Sequence, residues 1–351
     1  MKKKLAVIGY GGQGAWHCMK ALQSDVVELS GIYDIRESRR EAAKKAGIFV
    51  YGSNEELLSD PAVEIVTVAI PNDQHLEWVV KSLEAGKNVI CEKPVALSVA
   101  DFDRMTAAAE KAGKRFSVHQ NRRWDVDYLA MKHLAESGEI GKLINVESRI
   151  HGSRGIPSDW RCKKQYGGGM ILDWGVHLID QMLKIYDGVP IRDIYCETTH
   201  ITNKEVDDGF KLVIHFTTGA RAYVEVGTYN FLPLPRFYMQ CENGSALLED
   251  WQQKTKVAKL KMWVEKDVTP VQNAAGITKT MAPRDDITLD LYELDRPQSD
   301  VHDFYRNFCA AIDGKEEQLI KLSESRRVLK VMEACFASAE KGQAIPFDET
   351  T

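Results

Sequence analysis

Leu5-Ala6-Val7-Ile8-Gly9-Tyr10-Gly11-Gly12-Gln13-Gly14 is the stretch whose reading decides the fold. Leu5 to Ile8 is a short apolar run, the pattern of a strand covered on both faces. Gly9, Gly11 and Gly14 follow in a G-x-G-x-x-G spacing, and Ala15 to Leu22 reads as a helix. Between strand and helix each glycine has a physical task. Gly9 permits the tight turn, Gly11 lets backbone approach a pyrophosphate, and Gly14 lets helix and strand pack closely. Gly12 and Gln13 lie at the helix N-terminus, whose free N–H groups favour an anion. A second strand, Val26 to Tyr33, ends at Asp34, twenty residues after Gly14. A carboxylate there accepts hydrogen bonds from an adenosine ribose. These residues, with Ile35 and Arg36, make up an expected dinucleotide contact set. Asp34 favours NAD, because it repels a 2′-phosphate. Arg36, Arg39 and Arg40 are the features an NADP site would use, and they read here as a solvated helix start. The bland alternative, a structural βαβ turn with an unrelated acid, has less support.

Working outward, strands and helices keep alternating. Ala42 to Ala46 is helical, and Asn54 is placed to cap the next turn. Val63 to Ile70 is a continuous apolar strand ending at Pro71-Asn72-Asp73-Gln74-His75, after which a helix runs to Ala85. Asn88 to Cys91 is a strand ending at Glu92-Lys93-Pro94, Ser98 to Ala112 a helix, and Arg115 to Val118 a strand. Repeated β-α units predict a doubly wound parallel sheet over residues 1–123, whose strand ends line one crevice. Ile70 and Lys93 stand at such ends. An ammonium there stabilises negative charge on a substrate oxygen; an exposed loop lysine is the plainer reading.

Composition shifts after Arg123, and residues 124–351 read as an α+β domain with a large, open, mostly antiparallel sheet. A helix, Asp125 to Ser137, leads to a strand, Leu143 to His151, then a polar loop, Gly152 to Arg161. Gly167-Gly168-Gly169 breaks regular structure before a helical stretch to Asp187. On that helix Asp173 and His177 are four apart and share a face. A carboxylate beside an imidazole fixes its tautomer, the equipment of a general base; a surface pair without chemistry is the competing reading. Ile191–Ile201, Phe210–Phe216, Ala220–Thr228, Arg236–Glu242, Ser245–Glu249 and Lys256–Val264 read as strands, with hairpin turns at Thr217-Thr218-Gly219 and Glu242-Asn243-Gly244. Residues 265–297 show little periodicity and read as a long irregular segment. Two helices, Ser299–Ile312 and Ser323–Lys341, close the chain. One sheet face lies on helices, and a second copy of the chain is a plausible cover for the other.

Composition narrows the function classes. The 351 residues are 28% charged and 44% hydrophobic, ordinary globular usage. A net charge of −5 has the wrong sign for a nucleic-acid binder. The seven cysteines form no Cys-x-x-Cys, which suits reduced thiols in a cytoplasmic protein. No apolar run approaches the roughly 18 residues of a membrane span, and Lys2-Lys3-Lys4 lacks the apolar stretch of a signal peptide. No H-E-x-x-H or cysteine set supports a metal, and no G-x-S-x-G supports a serine hydrolase.

Taken together, the residues resemble the glucose–fructose oxidoreductase / inositol dehydrogenase / MocA-like (Gfo/Idh/MocA) superfamily. The glycine motif followed by His17, Asp34, Pro71-Asn72 with His75, Glu92-Lys93-Pro94, Asn121-Arg122-Arg123, Trp160-Arg161, and Asp173 with His177 occur in that family's order and rough spacing. The resemblance covers nearly the whole chain. It implies a Rossmann domain, a second domain that often forms an oligomer interface, and NAD(P)-linked oxidoreduction of pyranosides or polyols. By that resemblance Lys93, Asp173 and His177 are the catalytic set. Pro71, Asn72, His75, Glu92, Trp160 and Arg161 join the cofactor contacts, and Asn121, Arg122, Arg154, Asp159 and Tyr166 are candidate substrate contacts. The expected reaction is oxidation of a secondary alcohol of a sugar, cyclitol or glycoside, with the C3 position of a pyranoside favoured and inositol an alternative. Two other readings are an NAD-dependent glycoside hydrolase or lyase working through a transient 3-keto sugar, and a non-catalytic NAD-binding sensor.

Overall fold

Apolar runs buried on both faces can only be covered from both sides, and the first third of the chain does this with helices. In the computed structural model, which describes residues 1–262 and 269–349, the parallel strands β1 (Lys3–Ile8), β2 (Val27–Tyr33), β3 (Ile65–Val68), β4 (Asn88–Cys91) and β5 (Phe116–Val118) form one sheet in the order β2-β1-β3-β4-β5. Val50 adds a single parallel bridge to Ile32 outside β2. The chain therefore leaves β1 towards one edge and returns to the other side of β1 for β3. That reversal opens a crevice at the carboxyl ends, the place where such sheets bind ligands. Helices α1 (Gly12–Gln23), α2 (Glu37–Lys45), α3 (Asn54–Ser59), α4 (His75–Glu84) and α5 (Val99–Ala112) make the crossovers. Ser53, not Asn54, caps α3, its hydroxyl accepting from Glu56 N; Asn54 is instead the first helical residue.

A short turn, Asn121–Trp124, leads to α6 (Val126–Ser137) and a second sheet. Its strands are β6 (Leu143–His151), β7 (Ile191–Thr199), β8 (Gly209–Phe216), β9 (Arg221–Gly227), β10 (Phe237–Cys241), β11 (Gly244–Leu248), β12 (Thr255–Leu260), β15 (Leu289–Leu294) and β16 (Ile345–Pro346). They lie in the order β15-β12-β11-β10-β6-β9-β8-β7-β16, antiparallel except for the parallel β6–β9 pair. Alternation is plain in β8, where Phe210, Leu212, Ile214 and Phe216 are buried and Lys211, Val213 and His215 look the other way. The buried face lies under α7 (Val176–Ile185) and α9 (Leu322–Lys341), with Tyr186 stacked on Phe216.

Two features depart from the expectations above. Residues 265–297 are not wholly irregular: β13 (Val271–Asn273) and β14 (Gly276–Thr278) make a hairpin, and β15 adds an edge strand on β12. Burial does not drive them, so they leave little periodicity to read; residues 263–268, where the expected strand ends and the irregular segment begins, lie outside the described residues. The last helices also return across the molecule. α8 (His302–Ile312) sets Tyr305 Oη 2.6 Å from His17 Nδ1 and Arg306 Nε 2.9 Å from Asp25 on the first sheet's side.

Candidate functional site

At the end of β1 the backbone is shaped for an anion. Gly9 sits at φ +97°, and a Cβ there would lie 2.3 Å from the Ala69 carbonyl oxygen. A Cβ on Gly14 would lie 2.1 Å from the Gly9 carbonyl oxygen, so only glycine lets α1 start this close to the loop. Gly12, by contrast, has no atom within 4 Å of its would-be Cβ, and Gly11 meets only Arg36 at 4.0 Å. The first turn of α1 carries no acid and no side-chain cap. Open glycines in front of uncapped N–H groups fit a pyrophosphate. Asp34 is held at the end of β2, its carboxylate accepting from Tyr10 N and Arg36 N, both at 2.8 Å. Arg40 donates to the carbonyl oxygens of Asp34 and Ile35 and so braces this loop, while the Arg36 guanidinium is exposed.

Some expected cofactor contacts have partners in the interior. His75 has no accessible surface, its ring nitrogens each 3.0 Å from the carbonyl oxygens of Pro94 and Ile70, so it ties two strand ends together. Glu92 is buried too, with Oε1 at 2.8 Å from both His17 Nε2 and His119 Nδ1. Burial alone would raise the Glu92 carboxyl, but His119 and His17 more than reverse this and leave it ionised. That triad is not legible in the sequence, because its members are 75 and 27 residues apart. Asn72 faces the second domain, donating from Nδ2 to the Gly167 carbonyl oxygen at 3.1 Å.

The stretch from Gly167 to Asp180 meets these strand ends from the other side. Lys93 Nζ donates to the Asp173 main-chain oxygen at 2.9 Å and to its Oδ1 at 3.2 Å. Asp173 Oδ2 accepts from Arg161 Nε at 2.9 Å, and Arg161 Nη1 donates to Asp159 at 2.7 Å. A chain of alternating charge, Asp159–Arg161–Asp173–Lys93, thus spans both domains. Burial would push the Asp173 carboxyl up, but Lys93 and Arg161 hold it below the ordinary range. The anticipated Asp173–His177 pair is absent among the described residues. Ile171–Gly175 winds as a π turn before α7 begins at Val176, and the carboxylate is already taken by two cations. Trp160 stacks on Arg161, with its ring 4.5 Å from the guanidinium.

His177 is 4% exposed, with its Nδ1 buried and unpartnered. Burial, then the charges of Lys93 and Arg122, hold its pKa well below 6.5, so the imidazole is neutral at pH 7. Its ring stands edge-on to Trp174, centroids 6.1 Å apart. Arg122 lies 4.2 Å over Trp174 and pairs with Asp125 at 2.9 Å. Asn121 Oδ1 is buried without a partner. Arg154, Asp159 and Tyr166 are exposed, and of these Asp159 is committed to Arg161. A neutral base and a fixed ammonium at the ends of a dinucleotide-type sheet can remove a proton and stabilise an alkoxide.

Comparison with known proteins identifies the family and the fold. Residues 3–120 match the oxidoreductase family with NAD-binding Rossmann fold, and residues 128–247 match the GFO/IDH/MocA C-terminal domain. An NAD-binding protein from Listeria innocua has the same fold at a TM-score of 0.95 with 39% identity, covering 99% of both chains. The scyllo-inositol 2-dehydrogenase (NADP(+)) IolW of Bacillus subtilis is 31% identical over 61% of this chain and 60% of its own length. The myo-inositol 2-dehydrogenase of Thermotoga maritima is 31% identical over 63% of this chain and 67% of its own. The alignments span about half to two thirds of such curated relatives. No helix among the described residues is long and apolar enough to cross a membrane.

Proposed function

Because the chain belongs to the GFO/IDH/MocA family of NAD-binding oxidoreductases, we propose that it oxidises a secondary alcohol of a sugar, cyclitol or glycoside. The observation that carries this reading is Lys93 fixed by Asp173 beside a buried, neutral His177 at the carboxyl end of β4. NAD held by Gly9 to Gly14 and Asp34 supplies the hydride acceptor. His177 accepts the hydroxyl proton, and its depressed pKa keeps it unprotonated and ready to do so. Lys93 stabilises the oxygen as it gains negative charge. Asp173 orients Lys93 rather than the imidazole, and Asp159 acts one step further back through Arg161. Asp34, buried at the end of β2, supports NAD over NADP, and the inositol dehydrogenases at about 31% identity support a ring polyol. C3 of a pyranoside is the favoured position. The uncovered sheet face, with Val213, Tyr223 and Tyr238 half-buried, suits a second copy of the chain in the cytoplasm.

His177→Ala tests the reading. Turnover of sugars and inositols, followed at 340 nm, falls by about a hundredfold or more, while NADH still binds. Near-wild-type turnover removes His177 from the mechanism.

A further inference from the structure

Beside the catalytic centre, two tryptophans step outward towards solvent. Trp174 packs edge-on to His177, and Trp251, from the turn between β11 and β12, packs edge-on to Trp174 with centroids 5.9 Å apart. Exposure rises along the series. His177 is buried, Trp174 is half-buried and Trp251 is 40% exposed. Burying a tryptophan is worth more than burying most side chains, so an exposed one beside a site needs a reason. Two cations lie over the ring, Arg122 at 5.5 Å and Arg236 at 5.2 Å from its centroid. Arg236 is itself anchored, its guanidinium 2.9 Å from Asp127 and hydrogen-bonded to Gln181 on α7. The ring is thus flanked by anchored groups although two fifths of the residue stays exposed.

We propose that Trp251 is a specificity residue that stacks on the second ring of a glycoside, the unit attached to the sugar undergoing oxidation. This rests on the sugar-oxidoreductase reading above. A substrate whose reacting carbon lies at His177 meets Trp174 with its own ring. One further step of about the same length separates Trp174 from Trp251, and a free monosaccharide has nothing to place there. A glycosyl or aryl unit does, and the flat apolar face of either suits an indole whose motion is already restricted. A rigid aromatic anchor contributes affinity with little loss of side-chain freedom.

The test compares Trp251→Ala, Trp251→Phe and wild type on methyl β-glucoside and on phenyl β-glucoside, with NADH affinity and melting temperature measured alongside. For Trp251→Ala the KM for the phenyl glucoside rises about tenfold relative to that for the methyl glucoside, the scale of one lost aromatic contact, and kcat changes little. Trp251→Phe recovers most of the discrimination. Equal losses on both glucosides, or no loss on either, overturn the proposal. If wild type binds NADH but oxidises no sugar, cyclitol or glycoside, the oxidoreductase reading fails first, and the two failures remain distinguishable.

Discussion

Lys93 is a solvent-loving group in a place with little solvent, and Asp173 is what makes that tolerable. Its main-chain oxygen and its carboxylate both accept from the ammonium, and the carboxylate stays ionised because Lys93, and then Arg161 on its other oxygen, outweigh its burial. Asp173→Asn keeps the main-chain contact and the shape but removes the charge that fixes Lys93 and Arg161. We expect kcat to fall by about a hundredfold, the scale of one lost preorganised electrostatic contact, with NADH affinity unchanged. Steady-state kinetics with NADH titration checks this. A fall in NADH affinity with kcat intact would assign Asp173 to cofactor binding instead. Among the described residues His177 has no comparable orienting partner: its Nδ1 is buried and unpaired. The ring is positioned by packing against Trp174, not by a carboxylate.

At the level of elements, the helix that carries His177 starts irregularly and is held from outside. Gly169 sits at φ +103°, and a Cβ there would lie 2.2 Å from Asp207 Oδ1. Asp207 accepts from Ile171 N with its carboxylate at 2.8 Å and from Met170 N with its main-chain oxygen at 3.1 Å. It therefore caps the π turn that carries Asp173. Burial raises its pKa to about 7, against the backbone N–H groups that lower it; the negative charge of Asp208 adds to the rise. The unfolded chain releases this proton near pH 4, whereas the folded chain keeps it until about pH 7. Between those values the folded state binds more protons, so this contribution to stability is full at low pH and is lost as pH rises towards 7. Asp207→Asn keeps an acceptor and cannot titrate. Denaturant unfolding across pH 5 to 8 should show wild type losing stability relative to the variant as pH rises. Parallel curves would mean that Asp207 does not titrate in this range.

Across the whole molecule, buried ion pairs join what the chain order separates. Arg123, at the junction after the first sheet, forks onto Asp180 of α7 at 2.6 and 2.7 Å and reaches Glu324 of α9 at 2.7 Å. Removing Arg123 leaves the buried Asp180 uncompensated, while Glu324 keeps Lys184 at 3.1 Å. Arg123→Ala should cost about 3–5 kcal/mol of unfolding free energy, read by urea titration. A loss below about 1 kcal/mol, the range of surface pairs, would show the network to be dispensable. α8 and the Tyr305–His17 contact add a second tie, so the last part of the chain completes the face of the first sheet.

The sequence alone determined the first sheet and its dinucleotide loop. Strand, glycine spacing and terminal acid lie within some thirty residues, and local sterics dictate each of them. It also carried the period-2 strands of the second sheet, Lys93 at a strand end, and the family. What it could not carry was pairing at a distance. Four-residue spacing suggested Asp173 against His177, but which carboxylate meets which cation depends on the π turn and on Lys93, 80 residues earlier in the chain. The Glu92 triad, the Asp207 cap and the wall ending in Trp251 were hidden for the same reason. Each joins residues from separate elements, and only the packing of those elements within their domain brings them into hydrogen-bond or ring-contact range.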